Sequence, residues 1–432
     1  MNRSSLHRGC LRISLVLGVA AALAGCGGSS SSSSSTTTTT TVTLSTTANS
    51  HPVVVDGQPL INGVYTGAPN ALYTSIGICV PGTTTCQTVF NVQVDTGSSG
   101  LRLRSSALYI PLTNNKDASG NSLANCGRFS DGSVQWGAVQ PVDLNIEGEI
   151  ASSLPVQVIG GNSIPAAPAG CVSGVITERP PLVPGANGIL GIGMRKQDCG
   201  AACAASPAPS PAAYFSCTAS QCVPTPVPVA NQLQNPVAMF PQDNNGVILQ
   251  MPGLGDSGTN FIAGSLLFGI ATQSTGSNFL GTAQIQTPDA NGHFTTVYNG
   301  VNYTSSYFAS GARAIYFPPA NTTGLVSCTT AATAGFYCPP SPVGISTIIK
   351  DVNSVSSNIP FSVGNAASLF QLSFGQNRAF NNLTGPTSIN GFVWGLPFFY
   401  GRNIFIAIEG QTVTTSALTA TVTSTTGPFI AY

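Results

Sequence analysis

Val94-Asp95-Thr96-Gly97-Ser98-Ser99-Gly100-Leu101 is an apolar strand that runs into an acid, a hydroxyl residue and a glycine, and then turns apolar again. Asp, Gly and Ser are favoured in any turn, but a surface turn rarely has an alternating apolar strand before it and an apolar continuation after it. Phe90, Val92 and Val94 fall on one face, so a half-buried strand delivers Asp95. In the other half of the chain, Phe308-Ala309-Ser310-Gly311-Ala312-Arg313-Ala314-Ile315 repeats the pattern, with Ala309 in place of the acid and Ala312 in place of Ser98.

Outward from these segments, short runs rich in Val, Ile, Tyr and Phe alternate with Gly, Pro and Asn clusters, and no long stretch repeats with helical period. That pattern predicts an all-β chain. Residues 73–78 and 89–94 form a hairpin in this reading, with Cys79 and Cys86 stapling its turn. Asn187-Gly188-Ile189-Leu190-Gly191-Ile192-Gly193 and Phe392-Val393-Trp394-Gly395-Leu396-Pro397 are a second matched pair of segments. Gly191 follows Asp95 by 96 residues and Gly395 follows Ala309 by 86, so two half-repeats of similar length are expected.

The Asp-Thr-Gly-Ser loop at 95–98 resembles the active-site loop of pepsin-like aspartic peptidases, and the later landmarks fall in that family's order from residue 70 to 432. The resemblance implies a bilobal fold of two pseudo-symmetric β-lobes with a few short helices. Each lobe would bring one aspartate to a shared water. It implies that Asp95 is the candidate catalytic acid and that Ala309 occupies the position of the second one. Thr96, Gly97 and Ser98 would form the first loop, and Ser310 and Gly311 the second, with Thr96 facing Ser310 to lock the loops together. Phe129-Ser130-Asp131-Gly132-Ser133 would be the flap, with Phe129 where the family usually has tyrosine. The layout is also similar to a bacterial family of uncharacterised exported lipoproteins of the DUF3443 type, and that similarity implies no activity.

Peptide hydrolysis in the peptidase family needs two neighbouring carboxylates, one to take a proton from water and one to give a proton to the substrate. A single acid cannot fill both roles. Asp256-Ser257-Gly258-Thr259 spells the motif again, but Pro252-Gly253-Leu254-Gly255 before it is turn chemistry, so Asp256 is read as an exposed loop residue. Asp289 and Asp351 are the acids nearest in sequence to the second loop.

The first 25 residues carry Arg3, Arg8 and Arg12 and an apolar run from 13 to 23, which is the pattern of a cleavable export signal. Leu23-Ala24-Gly25-Cys26 resembles a lipobox, which implies an acylated Cys26. No other apolar stretch approaches the roughly 18 residues needed to span a bilayer, so the expected attachment is by lipid. Residues 26–55, mostly Ser and Thr, are read as a flexible tether. Residues 56–245 and 246–432 are the expected N-terminal and C-terminal lobes, since a core of this length divides. The expected placement is a bacterial envelope, on the outer membrane or the periplasmic face rather than the inner membrane.

Setting aside Cys10 and Cys26 leaves ten cysteines: Cys79, Cys86, Cys126, Cys171, Cys199, Cys203, Cys217, Cys222, Cys328 and Cys338. In an exported chain an even number reads as disulfides rather than zinc ligands. Cys79 with Cys86 and Cys328 with Cys338 are the local pairs, Cys126 is within reach of Cys171, and the remaining four allow three connectivities. Of three His, His7 lies in the signal, His51 at the edge of the tether and His293 in the second half, so imidazole-based nucleophile or metal systems are excluded. With 14 basic and 14 acidic residues there is no electrostatic footprint for nucleic acid. No metal or cofactor is expected, and a monomer is.

Three functional readings follow. In the first, the chain is a non-hydrolytic or strongly impaired relative whose interlobe groove binds an extended peptide or a cell-surface polymer. In the second it is an active endopeptidase that pairs Asp95 with another carboxylate, and in the third a structural envelope lipoprotein with no groove ligand.

Overall fold

A computed structural model describes residues 49–432, except 58–59, 62–63, 66, 131, 173–182, 207, 274–277, 373–375 and 415–423. The expected export signal, Cys26 and most of the expected tether lie outside the described residues. Among the described residues no helix is long and apolar enough to cross a membrane.

The fold is all-β and bilobal. A 15-stranded sheet runs through the first lobe and continues across the molecule, and a seven-stranded sheet builds the second lobe. In the first lobe, Tyr73–Cys79 and Cys86–Asp95 pair antiparallel with Cys79 opposite Cys86, the hairpin that alternation and the flanking cysteines predict. Val89, Val92 and Val94 are buried there, whereas Phe90 is largely exposed. Asn91, with φ of 56°, breaks the alternation beside Phe90, which corrects the placement of Phe90 on the buried face.

Gly188–Ile192 slots between the strand that ends in Asp95 and the strand that leaves its loop. It runs parallel to Cys86–Asp95, with Gly191 opposite Asp95, and antiparallel to Ser99–Arg104, with Gly191 opposite Gly100. The second lobe repeats the device in miniature. Val393–Trp394 is parallel to Val301–Phe308 and antiparallel to Ile315–Phe317. Each crossing has a glycine, Gly191 within the first and Gly395 just after the second, where backbone comes too close for a side chain. A Cβ on Gly191 would sit 2.7 Å from the Gly100 carbonyl oxygen, and one on Gly395 would sit 2.1 Å from that of Ala314.

Ser50–Val55 is a strand of the large sheet. It pairs with Ile262–Phe268 along its length, and that strand leads through Gly246–Met251 to Arg402–Ala407 and Phe429–Ala431. The folded region therefore begins ahead of residue 56, where composition had ended the tether. The physical reason is local: Val53 and Val55 are fully buried, and His51 is held by Glu147 and the Ser75 carbonyl.

Five disulfides join the ten cysteines: Cys79 to Cys86, Cys126 to Cys171, Cys328 to Cys338, Cys199 to Cys203 and Cys217 to Cys222. The last two resolve the connectivity that spacing left open. Loop-closure entropy makes Cys126–Cys171, which spans 45 residues, the most stabilising, and the gain falls for the seven-residue span of Cys79 to Cys86. Replacing Cys126 and Cys171 together by Ala is expected to cost about 4 kcal/mol in denaturant unfolding, against about 2 kcal/mol for the Cys79/Cys86 pair. Equal losses would show that the cross-links act through native-state strain rather than chain entropy.

Candidate functional site

The two loops meet at the junction of the lobes. The Thr96 N–H donates to the Ser310 hydroxyl at 3.1 Å, and the Ser310 N–H donates to the Thr96 hydroxyl at 3.0 Å. The Ser310 hydroxyl then donates to the Val94 carbonyl at 2.8 Å. All three bonds are buried, so leaving any of them unmade would cost about 1–3 kcal/mol.

Asp95 is 9% exposed and its carboxylate accepts three hydrogen bonds. One oxygen accepts from the Gly97 N–H at 2.9 Å and the Gly311 N–H at 3.3 Å, and the other accepts from the Ser98 hydroxyl at 2.6 Å. Gly311 must be glycine, since a Cβ there would lie 2.6 Å from the Asp95 carboxyl carbon. Reciprocally, a Cβ on Gly97 would lie 2.5 Å from the Ala309 methyl. Each loop thus presents a bare backbone to the residue at the head of the other, a carboxylate on one side and a methyl group on the other. The Ala309 N–H is tied to the Trp394 carbonyl at 3.0 Å, and Gln93 Nε2 donates to the Gly311 carbonyl at 2.8 Å.

The acids named from the sequence are elsewhere. Asp256 is exposed in the loop after Gly246–Met251. Asp289 accepts from Asn291 and His293 N–H groups, and Asp351 from the Asn353, Val355 and Thr287 N–H groups, so both carboxylates cap their own turns. Asp289 and Asp351 line one shallow pocket with His293 and Lys350. Among the described residues no cluster of His, Cys, Asp and Glu suits a metal ion.

Ser122–Arg128 and Val134–Ile146 form a hairpin whose tip is the predicted flap. Asp131 lies outside the described residues. The turn closes through the Phe129 N–H to the Ser133 carbonyl and the Gly132 N–H to the Phe129 carbonyl, and Gly132 takes a φ of 81°. The Ser130 hydroxyl bonds to the hydroxyl of Tyr307, two residues before Ala309, so the tip spans from one lobe to the other. Phe129 is half-buried, with the Arg102 guanidinium 5.6 Å from its ring centre. Beneath the hairpin, Arg102 pairs with buried Asp198 at 3.4 Å and donates to Asn125 and Gln157. Burial pushes the Asp198 carboxyl above its ordinary range, outweighing the pull of Arg102 and of hydrogen bonds from Tyr214 and Asn125.

Sequence reasoning missed three residues here. Asn70, fully buried with φ of 52°, donates to the Arg313 and Phe380 carbonyls and accepts from the Phe380 N–H and the Tyr400 hydroxyl. It ties the first lobe to the end of the second loop, and its only sequence signal is its place ahead of an apolar strand. Tyr307 stands in an alternating strand two residues before the loop, a position that points to the same side as Ala309. Arg102 gave no signal, since a charged residue in an apolar run reads as a solvated one.

These loops define a bilobal all-β protein in which two matched loops meet, one headed by Asp95 and the other by Ala309. The chain belongs to the family described as "Protein of unknown function (DUF3443)", which matches residues 45–432. No curated protein is similar to it. Among solved structures the chain is similar to that titled "Crystal structure of Basic 7S globulin from soybean", with 11% identity over 83% of this chain and 93% of the other and a TM-score of 0.42.

Two outcomes follow. Gly311→Ala is expected to destabilise the protein by about 1–3 kcal/mol in urea unfolding, the usual cost of overpacking, while Gly344→Ala, whose Cβ meets nothing within 4 Å, stays within about 0.5 kcal/mol of the parent. A neutral Gly311→Ala would mean that the loops do not touch. Because the folded Asp198 carboxyl is raised, the unfolded chain releases its proton first, so this group's contribution to stability is present at acidic pH and is lost as pH rises through the folded value. Asp198→Asn should therefore flatten the fall in stability between acidic and neutral pH, and an unchanged slope would exclude Asp198 as its source.

Proposed function

We propose that this protein is an exported, lipid-anchored, non-hydrolytic relative of the aspartic peptidases that binds an extended peptide between its lobes. The observation that carries the reading is the pairing of an Asp95 that accepts three hydrogen bonds with the Ala309 side of the loop junction, where neither Ala309 nor Ala312 has a polar side chain. Removing one partner of an acid-base pair lowers a rate by roughly 10² to 10⁴. Recognition by backbone hydrogen bonds and side-chain pockets does not depend on that partner. The Ser130–Tyr307 contact gives the hairpin a seat across the lobes that a bound strand would displace or share. Five disulfides, the apolar run at 13–23 and the Leu23-Ala24-Gly25-Cys26 junction support export and acylation. A surface polymer of similar extended shape is the other occupant of the same groove.

The test is a mixed peptide library assayed from acidic to neutral pH with four proteins: the parent, Asp95→Asn, Ala309→Asp, and Ala309→Asp with Ala312→Ser. The parent is expected to bind peptides without cleaving them, and the double variant to gain cleavage, because the Gly97 N–H and a new hydroxyl would then serve the second acid as Gly311 and Ser98 serve the first. Cleavage by the parent that disappears in Asp95→Asn would overturn the non-hydrolytic reading. Absence of any peptide or polymer binding would leave only a structural envelope role.

A further inference from the structure

Arg313 follows Gly311 by two residues and so leaves the second loop close to where that loop meets Asp95. Its backbone is pinned, since the Asn70 side chain donates to its carbonyl at 2.8 Å. Its guanidinium is not. Arg102, Arg104, Arg128, Arg195, Arg378 and Arg402 each donate to a carbonyl or side-chain oxygen. Among the described residues Arg313 is the one arginine that donates to none, and it forms no ion pair there. It is half-buried, and the contact it does make is with the ring of buried Phe336, 5.6 Å from guanidinium to ring centre. In the matched first loop the same position is Ser99, a buried residue whose hydroxyl donates to the Arg195 carbonyl. A small side chain therefore suffices to shape such a loop, and a long cation is not needed for it.

The surroundings of Arg313 belong to the lobe junction. Tyr73 pairs with Gln93 across the first-lobe hairpin, and Gln93 donates to the Gly311 carbonyl. Phe129, beside the tip that reaches Tyr307, packs against the apolar cluster that contains Tyr73. Burial, and after it the charge of Asp56, push the Tyr73 hydroxyl well above its ordinary value, and Arg313 is the cation that opposes them. Half-burying a fork of N–H donors without an acceptor is unfavourable unless something outside the chain supplies one. A carboxylate does so best, because its two oxygens match the planar guanidinium, and the Phe336 ring already holds that plane. We infer that Arg313 is a specificity-determining residue of the groove, selecting extended peptides that place an aspartate or glutamate side chain beside the second loop. This inference rests on the peptide-binding reading and adds to it the chemical class of peptide.

The test selects a random peptide library on the full chain, then titrates a selected peptide by fluorescence anisotropy beside a counterpart whose acid is replaced by the matching amide. The parent is expected to enrich an acid at one fixed position and to bind the amide counterpart about tenfold more weakly. Arg313→Met should bind the two peptides equally. Arg313→Glu should enrich Lys or Arg at the same position, a gain that poor folding cannot produce. Peptides bound by the parent with no preference for an acid, the outcome if water alone satisfies the guanidinium, would overturn the assignment while leaving the groove reading in place. So would an acid preference that both variants keep. Absence of any bound peptide would overturn both.

Discussion

Everything at the centre of this molecule depends on the exchange of hydrogen bonds between Thr96 and Ser310. Each residue gives its backbone N–H to the other's hydroxyl across the lobe junction, and Ser310 adds a bond to the Val94 carbonyl. Because these groups are buried, the exchange either forms completely or leaves costly orphans, and so it fixes how the two loops face each other. Neither bond passes through the side chain at 95 or 309. The frame therefore does not depend on which side chain stands at 95 or 309, and its presence says nothing about hydrolysis.

Packing sets what the frame can hold. Gly97 and Gly311 approach Ala309 and Asp95 so closely that any Cβ would collide, so these two glycines present bare backbone to them. On the Asp95 side they meet a carboxylate that also takes the Ser98 hydroxyl. On the other side the same kind of backbone meets a methyl group, and Ala312 offers no hydroxyl. The asymmetry is chemical rather than architectural, since Gly188–Ile192 and Val393–Trp394 cross behind the two loops in the same sense.

What was legible in the sequence is what local pattern encodes. The alternating run into Asp95, the paired Gly191 and Gly395 segments and the Cys79/Cys86 hairpin each announce themselves within a few residues. The docking of Ser50–Val55 on Ile262–Phe268 does not, because pairing across 200 residues leaves no periodic trace and the strand abuts a Ser/Thr tract. Phe90 misled for a related reason, as the positive φ of Asn91 shifts the alternation by a step that composition cannot reveal. Arg102 and Asp198 were passed over because charge reads as surface, whereas here each is the other's condition for burial. The Ser130–Tyr307 bridge joins two segments whose proximity exists only after folding.

A chain with so few charges needs another way to satisfy buried backbone, and it uses amides. Asn235 holds the Gly193 carbonyl behind the first loop and accepts from the Val237 N–H. Asn70 holds the Arg313 carbonyl at the end of the second. Asn245 closes the turn at Ile270 in both directions, and Gln157 bridges the Asn125 and Gln135 carbonyls under the hairpin. An amide donates and accepts at once and does not titrate, so these supports do the work of buried ion pairs without the desolvation cost of ions. The pH dependence of stability is accordingly expected where a carboxyl is buried, Asp198 foremost, whose contribution is lost as pH rises.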